Sequence, residues 1–101
     1  MKNYKIGQKV KIKSLEWYYK NRGIGGSVPT YFNFTPEMTR FCGKTFKITF
    51  IESAFIRLDY LNERQKNECN NTYGMTPGAS VSRYSFSEDM FEKYLNRNIR
   101  I

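Results

Sequence analysis

Two stretches of the chain alternate between apolar and polar residues. In Lys9-Val10-Lys11-Ile12-Lys13, Val10 and Ile12 fall on one side and three lysines on the other. This period of two is the signature of a half-buried strand. In Lys44-Thr45-Phe46-Lys47-Ile48-Thr49-Phe50-Ile51, the set Phe46, Ile48 and Phe50 opposes Thr45, Lys47 and Thr49. Glu52-Ser53 then reads as a tight turn into a third strand over 54–61, where Ile56, Leu58 and Tyr60 oppose Arg57 and Asp59. The pair predicts a hairpin. Residues 81–86 predict a closing strand.

Between the strands lie short helix signals and loops. Residues 14–22 predict a short helix capped by Ser14, with Leu15, Tyr18 and Tyr19 on one side. Gly23-Ile24-Gly25-Gly26-Ser27-Val28-Pro29 predicts a mobile loop. Phe34-Thr35-Pro36-Glu37-Met38 opens another helix: Thr35 suits the cap, Pro36 the first turn, and Glu37 the helix dipole. Gly43 ends it. Ser87-Glu88-Asp89-Met90 starts a final short helix, with Phe86 before the cap placed to pack on Phe91 as a hydrophobic staple. Residues 62–80 are polar, rich in Asn and Gly, and predict a mobile loop or extended hairpin insert; residues 96–101 should fray. Phe34-Thr35-Pro36-Glu37-Met38 and Phe86-Ser87-Glu88-Asp89-Met90 share one pattern, 52 residues apart. They are either two half-units or two independently useful caps, and two copies do not make a solenoid.

At 101 residues the chain has room for a single domain spanning 1–101. Aromatics make up 17% of it, which predicts a core built from rings, leucine being scarce. The formal charge is +8 and histidine is absent. That absence excludes Ser-His-Asp and Cys-His relays, histidine metal sites and histidine pH switches. Cys42 and Cys69 have neither a CxxC spacing nor a histidine to complete a zinc shell, and both are expected to be unpaired. The N-terminal residues lack the apolar run of a signal peptide, and no stretch has the length of a membrane span. A cytoplasmic protein without membrane association is expected.

Charge placement changes the picture more than total charge. Residues 1–25 hold seven basic residues and one acid, whereas residues 51–75 hold three and four. The basic excess is a regional feature of the N-terminal segment.

Candidate chemistry is sparse. Gly43-Lys44-Thr45 lacks the preceding glycine of a phosphate loop, since Met38 stands there, and a strand follows where a helix is required. Gly23-Ile24-Gly25-Gly26 lacks the third glycine of a dinucleotide fingerprint. Glu88, Asp89 and Glu92 cluster in a first helical turn, where the dipole alone favours acids. No catalytic group, cofactor or metal ligand is expected, and the chain reads as a non-enzyme. Binding has better support. Lys9, Lys11 and Lys13 recur at roughly 6.6–6.8 Å along one strand face, followed by Trp17, Tyr18, Tyr19, Lys20 and Arg22. A basic row beside aromatics suits backbone tracking and base stacking. The competing account is structural: lysines guard exposed edge strands, and Trp17 closes the core.

Taken in order, Ile6-Gly7-Gln8-Lys9-Val10-Lys11-Ile12, Gly43-Lys44-Thr45-Phe46-Lys47-Ile48, Ile56-Arg57-Leu58 and a closing aromatic strand resemble an SH3-like barrel. More closely, Lys9-Val10-Lys11-Ile12-Lys13-Ser14-Leu15-Glu16-Trp17-Tyr18, Phe34-Thr35-Pro36-Glu37-Met38, Cys42-Gly43-Lys44 and Phe86-Ser87-Glu88-Asp89-Met90 resemble short proteins of bacteriophages and prophages. The resemblance covers nearly the whole chain, with 62–80 as the divergent insert. It implies a mainly β fold: a small SH3-like antiparallel barrel with one or two short capped helices and long loops. On function it says little by itself; together with the small size, the absence of catalytic groups and the long loops, it points to a counter-defence inhibitor of the anti-CRISPR kind in the host cytoplasm, docking on a host protein such as a defence nuclease or a nuclease–guide complex. Direct nucleic-acid binding through the lysine row is the alternative, and a peptide-binding SH3-type adaptor the third. A monomer or a homodimer is compatible with each.

Overall fold

Three strands form one antiparallel sheet in the order β1-β2-β3 in a computed structural model that describes residues 4–70 and 80–92: β1 (Lys9–Lys11), β2 (Thr45–Glu52) and β3 (Phe55–Asp59). β1 sets Lys9 opposite Lys47 and Lys11 opposite Thr45, and β2 sets Lys47 opposite Asp59 and Ile48 opposite Leu58. The alternation places Val10, Ile12, Phe46, Ile48, Ile56 and Leu58 inside and the lysines outside. The hairpin is present, with Ser53 taking the left-handed conformation (φ 58°) that its tight turn demands.

The alternation fails at one point. Pairing runs from Ile48 opposite Leu58 straight to Phe50 opposite Arg57, so β2 carries one residue more than β3. This is a β-bulge at Thr49, and it inverts the parity of everything after it. Phe50, expected inside with Phe46 and Ile48, is instead 42% exposed, and Ile51 packs against the core in its stead.

The described strands make an open sheet, not a closed barrel. In place of a closing strand, residues 81–86 begin with a 3₁₀ turn, Val81–Arg83, and pair with the sheet through one β-bridge, at Phe86. Phe86 bridges Ile56 at the outer edge of β3, its N–H and carbonyl each bonding at 2.9 Å. A second 3₁₀ turn, Glu88–Met90, carries the chain across to Phe91, which bridges Ile12 beyond β1. The Glu92 N–H reaches the Lys11 carbonyl at 2.7 Å, and the Lys13 N–H reaches that of Met90 at 2.9 Å. The staple holds: the Phe86 and Phe91 rings stack at 6.4 Å.

Helix α1 (Leu15–Asn21) starts where Ser14 Oγ accepts the Trp17 N–H, and it buries Tyr18, while Leu15 and Tyr19 stay exposed. The glycine loop that follows is a bonded turn: the Gly23 N–H reaches the Ser27 carbonyl at 2.8 Å, and the Tyr18 hydroxyl donates to the Gly26 carbonyl. The element after Thr35 is 3₁₀ (Pro36–Phe41) and ends as expected before Gly43, whose φ of 75° suits only glycine well. Thr35 has a cap's backbone conformation, but its buried hydroxyl has no hydrogen-bond partner; the Met38 sulfur accepts the Thr35 N–H instead, at 3.4 Å. The two echoed motifs have matching geometry: Phe34 and Phe86 are both fully buried bridge residues, and Met38 and Met90 are both buried.

The expectation of a loop or hairpin over 62–80 is corrected for its first half. Glu63–Asn70 is a helix, α2. It lacks an apolar stripe, and side-chain bonds to neighbouring backbone tie it down. The Gln65 amide accepts the Leu61 N–H at 2.7 Å and donates to the Thr45 carbonyl at 2.6 Å, and Cys69 is buried beneath. The expectations for residues 71–79 and 96–101 lie outside the described residues. The core is ring-rich as the composition demanded, centred on Phe34, Phe41, Phe46, Phe86 and Phe91. Arg40 lies buried among these rings, 4.9 Å over Phe41, and donates to the Tyr84 hydroxyl, which donates in turn to Glu37 at 2.7 Å. No helix among the described residues is long and apolar enough to cross a membrane.

Candidate binding surface

Strand pairing assembles the first part of the surface. Lys9 and Lys11 project outward from β1, and the register sets Lys47 of β2 directly across from Lys9. On its other flank Lys47 faces Asp59 of β3. Three ammonium groups and one carboxylate therefore share this part of the outer face. Lys47 is not among the residues that the sequence pattern singles out for binding, although its place in the alternation points outward.

The remaining expected residues join this group to different degrees. Lys13 is half-buried with its ammonium 5.4 Å from the Trp17 ring centroid, a cation–π contact that ties the end of the lysine row to α1. Trp17 is itself half-buried, edge-on to Phe34 at 5.2 Å. Tyr18 is removed from the surface altogether: it is buried, and its hydroxyl is spent on the Gly26 carbonyl. Tyr19 is exposed, with the Arg22 guanidinium 5.0 Å over its ring. Lys20 pairs with Glu16 one turn away at 3.5 Å, a fully solvated contact of small energetic weight.

A second surface is not foreseen by the sequence pattern. Tyr31, Phe32, Phe55 and Phe50 form a chain of edge-to-face rings with centroids 4.8, 5.8 and 5.8 Å apart. Tyr31 is 70% exposed, and Phe50 is the outward ring that the bulge produced. The Arg57 guanidinium lies 5.0 Å over Phe55 and donates to the Ser82 carbonyl at 2.9 Å. The signal for this strip is Phe50-Ile51, two adjacent large apolar residues that no period of two can place on one face.

Reactive chemistry finds little footing. Burial pushes the Cys42 thiol up to about 11. Burial also raises Cys69, helped by Glu68 and opposed by the cations Lys44 and Arg40. Both thiols stay protonated at neutral pH, the opposite of an activated nucleophile. Burial, then the hydrogen bond to Glu37, raises Tyr84, with Arg40 pulling the other way. Among the described residues no group of three or more His, Cys, Asp or Glu side chains is placed to hold a metal ion. A cleft of about 510 Å³ opens at the Lys47–Asp59 end of the outer face and is lined also by Glu63, Lys66 and Ser82. It mixes charges of both signs.

The chain is thus a small domain with a three-stranded antiparallel sheet and a few short helices. No protein-family model, curated protein or solved structure matches it.

Proposed function

We propose that the chain is a non-enzymatic cytoplasmic binding module of SH3-like barrel architecture, whose cationic β1 face contacts a nucleic-acid backbone. The architecture is supported by the two bridges of Phe86 and Phe91, which tie one segment to both outer edges of the sheet. The function rests on the convergence of Lys9, Lys11 and Lys47 on one outer face. Like charges directly opposite each other across a strand pair cost stability, as Lys9 and Lys47 stand here. A polyanion across this face turns the cost into attraction and releases counterions.

The test is fluorescence anisotropy with labelled single-stranded and duplex oligonucleotides over a range of salt. Log affinity should fall linearly with log salt, and replacing Lys9, Lys11 and Lys47 with Gln should flatten the slope by about one for each phosphate that is no longer neutralised. Affinity indifferent to ionic strength would remove this reading.

The exposed aromatic strip favours a second reading, a docking inhibitor of a host nucleic-acid-handling protein. Clustered aromatics beside an arginine are the composition of protein-interface hot spots. Loss of a host nuclease's activity on adding the protein, with copurification that survives nuclease treatment, would support it. Absence of both across host nucleases would exclude it.

A further inference from the structure

The strip differs from the β1 face in charge as well as in rings. Glu52 stands opposite Phe55 in the β2–β3 register, so a carboxylate borders the strip at the hairpin. At the other end, Tyr31 shares a cavity of about 210 Å³ with Ala54, Glu88 and Asp89. Asp89 holds that end in place by accepting the Tyr31 N–H at 2.9 Å. Behind Phe32 a shallower cleft adds one charge of each sign, Glu37 and Arg83. Arg57 lies over Phe55 with its guanidinium bonded to a backbone carbonyl, and Arg40 reaches Glu37 through the Tyr84 hydroxyl. Among these described residues four carboxylates, Glu37, Glu52, Glu88 and Asp89, stand against three guanidiniums, Arg40, Arg57 and Arg83, in a chain of charge +8.

We propose that the aromatic strip docks a basic protein surface, one lined with lysine and arginine, and that nucleic acid is excluded from it. The proposal rests on the docking-inhibitor reading and deepens it by naming the face that is met. A nucleic-acid-handling protein is cationic where it holds its substrate, for the same counterion reasons that apply to β1. Carboxylates around the strip attract such a channel and repel phosphate. The slot beside Tyr31, with Glu88 and Asp89 among its lining residues, has the chemistry to take the aliphatic stem and cationic head of a lysine or arginine. The rings are already locked edge to face, so little side-chain entropy is lost on docking.

The test is an NMR titration of the ¹⁵N-labelled protein with three probes: an alternating Arg-Leu peptide, an alternating Glu-Leu peptide of equal length, and single-stranded DNA. The Arg-Leu peptide should shift the amides of Tyr31, Phe50 and Phe55, the Glu-Leu peptide should leave them unmoved, and DNA should act on β1 alone. The pair Tyr31→Ser with Phe50→Thr should weaken the Arg-Leu peptide by about tenfold or more. Glu52→Lys, which disturbs no packed ring, should also weaken it, and Lys9→Gln should not. Equal response to both peptides, DNA shifts on the strip, or an unchanged affinity in both strip variants would overturn the proposal. Strip amides that move on simple dilution would assign the face to a second copy and overturn it too. The two readings fail separately. Nuclease inhibition that survives in the strip variants sinks the proposal and spares the inhibitor reading. Arg-Leu peptide binding without inhibition of any nuclease does the reverse.

Discussion

β2 presents two different surfaces from one strand. Before Thr49 its outward positions are Thr45 and Lys47, flanked by the lysines of β1; after Thr49 they are Phe50 and Glu52, flanked by Phe55 and Arg57. Both halves pair with neighbours in the same sheet. One inserted residue separates a cationic polar face from an acidic aromatic one, because a single step along a strand exchanges inside for outside. Surface chemistry here is therefore set by register as much as by composition.

The largest effect that tests this contrast compares two phenylalanines on β2. Phe46 is fully buried and Phe50 is not, so Phe46→Ala should cost about 3–5 kcal/mol and Phe50→Ala under about 1 kcal/mol in urea unfolding. Equal costs would mean that the bulge is absent in solution. Next comes a separation of binding from stability on the β1 side. Gln at Lys9, Lys11 and Lys47 together should reduce nucleic-acid affinity by an order of magnitude or more at low salt, while each single change moves stability by less than ~0.5 kcal/mol. At the hairpin end, Ser53→Gly relieves a left-handed φ and should raise stability by up to about 1 kcal/mol, read from the thermal midpoint.

A pH-dependent effect belongs to the β1 side, where Cys42 precedes Gly43, whose N–H bonds the Ile12 carbonyl. Folding raises the Cys42 thiol from 9.0 to about 11, so the unfolded chain loses its proton first as pH climbs. This contribution is complete below pH 9 and is lost between there and pH 11. Cys42→Ala should flatten the alkaline decline in a denaturation series across that window.

Much of the frame is legible from pattern alone. Val10 and Ile12 against three lysines locate β1, the turn at Glu52-Ser53 locates the hairpin, and Ser14 and Gly43 mark a helix start and a helix stop. Three features are not legible, each for a physical reason. Helix α2 has no apolar stripe, so periodicity has nothing to report; its anchors are Gln65 and Cys69. The segment 81–86 has the apolar content of a strand but makes a single backbone bridge to the sheet, which composition does not reveal. Thr49 reads as one more alternating position because a bulge is a property of the pair, and β2 alone does not show that Leu58 and Arg57, the partners of Ile48 and Phe50, are adjacent. The lysine row is visible at once, whereas the aromatic strip joins rings from a loop and both arms of the hairpin, and only folding brings them together.

The ties of residues 86–92 to β1 and β3 also set an order of events during synthesis. Ile12 meets Phe91 across 79 positions of chain, so the sheet stays unlaced on the ribosome until the codons beyond position 90 have been translated. Until then the core face of β1, behind its outward lysines, has no cover from Phe91. Arrest of translation before that point should yield a protease-sensitive nascent chain, and arrest well after it a resistant one.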